Sequence, residues 1–384
     1  MRAYYFTEMP YPHYPPEVVE ALNSQRVILP SEYLDPKAAG ELYNRYLDEH
    51  EYADELGLDI MLNEHHQTPT CIDSAMPLAA AALVRRTKQA KILLLGNPLA
   101  HRDNPVRVAE EMAFLDCLSD GRLICGFVRG VPTECHPANT SPPLTRERFE
   151  ESHDIILKAW TTHEPFNWEG KFWHYRYVNP WPRPLQQPHP PVWIPASSAD
   201  SIPWIAERQY VHATFLLPYQ AQQKLHKIYF DTCAELGLPE PGPERFAHLA
   251  LVYVGETDEK ARVEGEALMW YMKAVRHMGF WNPPGYLPPE ASARIMMGQG
   301  FPEPSWEDAN NMGVVIWGSP DTVIQKMRKL HDECNVGHML MMMQAGFLQT
   351  DMVRKSMRLF AREVYPAIRE LGEPAAPAPQ ARGG

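Results

Sequence analysis

Glu64-His65-His66 is the stretch of this chain best suited to moving a proton. An imidazole titrates near pH 6.5, so it can give or take a proton at neutral pH. Two other readings stand beside this one: a metal site, or histidines hydrogen-bonded under a loop. Neighbours on an extended chain point to opposite sides, which counts against a single shared ion. A second candidate is Arg129, at the end of the apolar run Leu123–Val128. A guanidinium there can pair with a carboxylate on a helix, or it can present its fork of donors to a phosphate. The third is the turn Pro195-Ala196-Ser197-Ser198-Ala199-Asp200-Ser201. Small residues and hydroxyls at a helix start can receive an anion, or they can simply cap the helix. Asp200 repels a phosphate and fits a cap that faces away.

These groups need a scaffold that gathers strand ends. The clearest unit is His101–Gly130. Asn104 can cap a helix, Pro105 suits its first position, and Val108, Met112 and Leu115 recur on one face. Gly121 ends the turn, and residues 123–128 lack polar alternation, as in a parallel strand covered on both sides. Arg129 and Gly130 then stand at the strand's C-terminal end, where parallel α/β folds place their chemistry. Further strands are expected at 3–7, 58–63, 92–96, 192–195, 211–216, 247–254 and 339–343. Helical patterns fall between them, at about 38–56, 74–88, 146–161, 220–236, 257–277, 318–331 and 351–368. Alternation on this scale favours a (β/α)8 TIM barrel with insertions over an open doubly wound sheet. Residues 314–317 make one more short strand candidate, assigned to an insertion. No G-x-G-x-x-G follows a strand, so the usual sign of a bound dinucleotide is missing.

The 384 residues suffice for one such barrel. The reading is a single domain over 1–370, with insertions at about 8–37, 162–191 and 278–317 and a flexible tail at 371–384. A formal net charge of −12 argues against nucleic acid or an anionic membrane as the main partner. No run approaches the roughly 18 apolar residues of a membrane span. The six cysteines form no C-x-x-C pair, which suits reduced thiols and a cytoplasmic protein. The 38 prolines cluster in the insertions and the tail, where they stiffen long connections.

His101–Gly130 resembles the signature of the bacterial luciferase-like flavin-dependent oxidoreductases. Pro105-x-Arg107-x-Ala109-Glu110-Glu111 leads through Asp120-Gly121-Arg122-Leu123 into a strand ending in Arg129-Gly130. Glu64-His65-His66, Pro184-Leu185-Gln186, Asp258 to Arg262 and Gly318-Ser319-Pro320 follow the same family order, and the likeness covers about residues 1–370. It implies a TIM barrel that forms a homodimer or higher homo-oligomer and binds FMN, or the deazaflavin F420, at the C-terminal mouth. His65 matches the family's acid–base histidine beside the flavin, with His66 supporting it. Ser198 and Ser201 match residues that hold the FMN phosphate. Ser197 replaces an acidic residue of some members. Asn97 would donate to a flavin carbonyl, and Gly96 would admit the ring. The family often has a non-prolyl cis peptide at the end of this third strand, although Leu93-Leu94-Leu95 is bulkier than usual there.

The insertions are rich in rings. Trp270, Tyr271, Trp281 and Tyr286, with Tyr11 in the first connection, are candidate lids that shield a flavin; core packing is the alternative. His66, His101, Tyr11 and Trp281 are taken as pocket residues. The activity implied is a monooxygenase using reduced FMN and O2 on a small, apolar organic substrate, with reduced flavin supplied by a separate reductase. An F420-dependent hydride-transfer enzyme, a non-catalytic FMN-binding barrel and a metal-dependent hydrolase are the alternatives.

Overall fold

A computed structural model describes residues 1–15, 17–18, 25–274, 283–296 and 304–372. Trp281 and positions 373–384 of the expected tail lie outside them. Eight parallel strands close on themselves in the order β1 (Arg2–Thr7), β2 (Asp59–Leu62), β3 (Ile92–Pro98), β4 (Leu123–Val128), β7 (Val192–Pro195), β8 (Val211–Phe215), β9 (Phe246–Val254) and β11 (His338–Gln344). β11 returns to pair with β1, Tyr4 opposite Leu340, so the fold is a (β/α)8 barrel. The 162–191 insertion carries an antiparallel hairpin, β5 (Phe166–Glu169) and β6 (His174–Val178), where the sequence reads only as a ring-rich connection. The ninth candidate forms β10 (Val315–Gly318), which adds to the far half of β9 rather than staying in a loop.

Helices α1 (Pro36–Glu55), α2 (Met76–Arg86), α3 (Pro105–Leu118) and α4 (Thr145–Thr161) cover the first half of the barrel. Asn104 caps α3 as expected, its side chain accepting from Arg107 N at 3.1 Å. Past α5 (Ile202–Glu207) and α6 (Tyr219–Glu235), the helix expected at 257–277 is interrupted: α7 (Asp258–Gly265) tightens into a 3-10 turn at Glu266–Met269 before helix resumes over Trp270–Ala274. Gly265, a weak helix former, stands at that change. α8 (Pro320–Cys334) and α9 (Thr350–Leu359) complete the ring. Among the described residues no helix is long and apolar enough to cross a membrane.

Strand alternation decides what enters the barrel. Tyr4 of β1 meets Trp193 of β7, a strand it does not pair with, at 5.5 Å between ring centroids. It therefore points inward. Tyr5 points outward and donates its hydroxyl to Glu49 of α1 at 2.7 Å. With Tyr4 inside, Phe6 and then Glu8 follow on the inner side, which brings Glu8 to the C-terminal mouth.

Candidate active site

The link after β2 turns its neighbouring side chains different ways. Glu64 accepts from His66 Nε2 at 2.9 Å, Arg102 Nη2 at 2.7 Å and the Met76 amide at 3.3 Å, which ties the link to the start of α2. The Glu64 hydrogen bond holds the His66 imidazole above its ordinary range. His65 faces another carboxylate: its Nδ1 lies 2.9 Å from Glu134 Oε1. On the far side of the ring, Nε2 is 3.8 Å from Glu8 Oε1. The two histidines thus have separate partners.

Glu134 sits in a 3-10 turn, Pro132–Cys135, just beyond β4. It is 4% exposed, yet Oε1 also accepts from His66 N at 3.3 Å and Oε2 from Val131 N at 3.2 Å. Burial would push its carboxyl up. The His65 charge and hydrogen bond, with Arg26 and His101, bring it down to about 2 instead. Glu8 is held by the Tyr271 hydroxyl at 2.8 Å, and Arg26 Nη1 approaches its other oxygen at 3.5 Å.

A second cluster brings two guanidiniums to the serine-rich turn after β7. Arg129 Nε donates to Thr145 Oγ1 at 2.7 Å and Nη2 to Tyr286 O at 3.0 Å, with the guanidinium 3.8 Å from the Tyr286 ring centroid. Arg146, next to Thr145 at the start of α4, donates to Ser201 Oγ at 2.9 Å, and Ser201 Oγ lies 3.0 Å from Ser198 Oγ. Arg129 and the 195–201 turn are therefore joined through Thr145-Arg146. Burial lowers the Arg129 pKa, and the like charge of Arg146 lowers it further. Two guanidiniums beside the hydroxyls of exposed Ser198 and half-buried Ser201 suit a doubly charged phosphate. Tyr286 stacks on Arg129 and donates its hydroxyl to Gly130 O at 2.5 Å, one residue before Val131, whose amide donates to Glu134.

The remaining residues singled out in the sequence fall differently. Ser197 is exposed beside the second cluster. Asn97 turns out toward α3, its Nδ2 3.4 Å from Met112 Sδ, so the fold does not gather it with the mouth residues. Leu95–Gly96 is a non-prolyl cis peptide. A Cβ on Gly96 would lie 2.7 Å from Gly126 O, so its missing side chain admits the neighbouring strand rather than a ring. Tyr11 is buried, its hydroxyl accepting from Asp35 N at 2.8 Å at the cap of α1. His101 packs under Gly130, and burial lowers its pKa. Glu8, Arg26, Glu134 and Arg146 escaped the sequence reading. Of these only Glu8, directly after an inward-alternating strand, carried a usable signal.

The sequence profile described as "Luciferase-like monooxygenase" matches residues 27–334. The chain belongs to that family. It is accordingly an oxidoreductase, and its barrel is the luciferase-like one. It is 25% identical to the alkanal monooxygenase alpha chain of Photobacterium leiognathi, over 80% of this chain and 88% of that protein. It is 28% identical to the oxygenase component of the flavin-dependent trigonelline monooxygenase of Acinetobacter baylyi, over 64% of this chain and 68% of that one. In fold it is similar to the oxygenating constituent of the 3,6-diketocamphane monooxygenase of Pseudomonas putida, solved in complex with FMN. The TM-score there is 0.71, with 20% identity over 95% of this chain and 97% of that one.

Proposed function

We propose that this luciferase-like barrel is the oxygenase of a two-component system that takes reduced FMN from a separate reductase and uses O2 to oxidise a small, apolar organic substrate. One observation carries the reading. His65, with a carboxylate near each ring nitrogen, and the group Arg129, Arg146, Ser198 and Ser201 stand at one end of the barrel, with Tyr286 stacked on Arg129 and hydrogen-bonded to Gly130 between them. The donor set fits the phosphate of FMN, with Arg146 and the two serines as its direct holders and Arg129 behind them. When bound, the flavin supplies the electrons that activate oxygen. The chain's own part is to orient the ring, keep water out and move a proton at His65 Nε2. Phe215, at the end of β8, lies 6.1 Å from Tyr271 and offers an apolar wall. The charges nearby are already paired with one another, which favours an uncharged substrate.

The reading includes self-association and a reducing compartment. Leu78 of α2, 74% exposed, and Phe114 of α3, 53% exposed, leave apolar side chains on the outer surface that a second copy of the chain would cover. All six cysteines are free thiols, as suits the cytoplasm. The test is a screen of apolar substrates with FMN, NADH and a flavin reductase, read by mass spectrometry for one added oxygen atom drawn from 18O2. Incorporation from O2 supports the proposal. Tight binding of F420 with no affinity for FMN overturns it.

A further inference from the structure

Glu8 has no part in the chemistry assigned so far, yet it is 2% exposed beside the ring of His65. Its Oε1 faces His65 Nε2 at 3.8 Å, while Glu134 takes Nδ1 at 2.9 Å on the opposite side. A carboxylate only accepts, so a ring with one carboxylate at each nitrogen is best served by N–H on both. Burying Glu8 is costly unless its oxygens are met. Tyr271 meets one by donating at 2.8 Å, and Arg26 approaches the other at 3.5 Å.

Charge bookkeeping points the same way. Among the described residues, the titratable groups near the ring are Glu8, Glu134, Arg26, Tyr271, His101 and Cys71, with His66, Asp73, Cys135 and Tyr286 adjoining them. Burial holds Tyr271 and Cys71 in their neutral forms and disfavours charge on His101. The two carboxylates nearest the ring, Glu8 and Glu134, favour a proton on each of its nitrogens.

We propose that Glu8 is a positioning residue that, with Glu134, clamps His65 as an imidazolium whose Nε2 proton is ready for transfer. The proton passes from Nε2 to an acceptor atom of the bound flavin or substrate. His65 is left neutral, with Nδ1–H still on Glu134, and no electron moves in this step. The clamp is geometric; only its use in catalysis rests on the proposed oxygenase reading.

The test is 15N NMR of the histidine-labelled full chain without flavin, with the His65 signals assigned by their loss in His65→Gln. At pH 7 the native chain is expected to show both His65 nitrogens protonated. In Glu8→Gln the doubly protonated fraction should fall at least threefold, an effect of about the size expected when one neighbouring charge is removed. Glu8→Asp should restore part of it. If Glu8→Gln does not fold, as judged by its melting temperature, Tyr271→Phe carries the test, because it frees Glu8 from its hydroxyl partner and should shift the same signals. Identical His65 signals in native and variant chains between pH 6 and 8 overturn the clamp, even if oxygenation is found. Altered signals in a chain that oxygenates nothing uphold the clamp and reject the oxygenase reading instead.

Discussion

His338 and His65 stand at opposite ends of the same barrel, and their surroundings differ in kind. His338 lies near the strand N-termini, 4.7 Å from the Trp193 ring, with Tyr4 beyond it and the Glu244 carbonyl 3.1 Å from Nε2. Burial pushes its imidazole down to about 4. His65, at the other end, has a carboxylate near each nitrogen. At one end a histidine serves as a neutral, shape-filling ring, near a buried carboxylate, Asp59, that Arg2 pairs at 2.6 Å. The other gathers buried charge that has to be paired at some cost to stability. Two buried carboxylates set around a titratable ring, rather than one carboxylate against a guanidinium, mark the His65 end as the candidate place for proton transfer.

The widest separation between the two ends should come from pH. His338, His212 and His248 are pushed by burial to about 4, and His226 to about 3, with His212 lowering it further. In the unfolded chain each protonates near 6.5, so below that pH the unfolded state binds more protons and stability falls as pH drops from 6.5 toward 4. Each histidine should cost on the order of 3 kcal/mol by the lower end of that window. Urea unfolding at half-unit steps from pH 7 to 4.5 should show the decline, and His338→Gln should flatten it. Glu134 acts in a different window. Its folded value, about 2, lies below its unfolded one, so its contribution is complete above pH 4.5 and disappears only as pH falls toward 2. Full stability at pH 5 would erase the contrast.

Function should divide the ends as well. His65→Ala is expected to lower turnover by roughly a hundredfold or more, the usual loss with a proton-transfer group, while FMN binding measured by fluorescence quenching stays within about threefold of native. His338→Gln should leave turnover per folded molecule unchanged. Equal losses would place the reacting end wrongly. Next in size is Arg146→Ala. A charged hydrogen bond to phosphate contributes about 1.5–3 kcal/mol, so FMN affinity should weaken roughly ten- to a hundredfold. Riboflavin, which lacks the phosphate, should bind both chains alike.

What the sequence disclosed follows the same division. The barrel was legible because parallel strands covered on both faces leave continuous apolar runs such as Leu123–Val128, and caps such as Asn104 mark helix starts. His65, Arg129, Ser198 and Ser201 were legible by type and by position at strand exits. Glu134 and Arg146 were not, because each reads locally as an ordinary charge: one lies in a proline-bounded turn, the other on the charged face of a helix. Their significance depends on what folding brings opposite them, His65 in one case and Ser201 in the other. Asn97 shows the converse. Its place at a strand exit suggested a role at the mouth, but the irregular register between Leu95 and Asn97 is accompanied by an amide that faces Met112 instead.

The smallest effect tests whether the two clusters of the reacting end are coupled through the backbone between them. Gly130 follows Arg129 with φ +96, a conformation that L side chains rarely adopt, and a Cβ there would lie 2.2 Å from His101 Cδ2. Its carbonyl also accepts the Tyr286 hydroxyl at 2.5 Å. Gly130→Ala must therefore shift either the His101 ring or the peptide that orients Arg129. The strain should cost about 1–3 kcal/mol of stability, as overpacking at a tight contact does. If the peptide yields, Tyr286 loses its acceptor and FMN affinity falls a few-fold, with the Arg129–Tyr286 stacking disturbed. If the ring of His101 yields, affinity holds and only the melting temperature drops. Retained affinity would mean that Arg146 and the serines hold the phosphate without help from the Arg129–Tyr286 pair behind them.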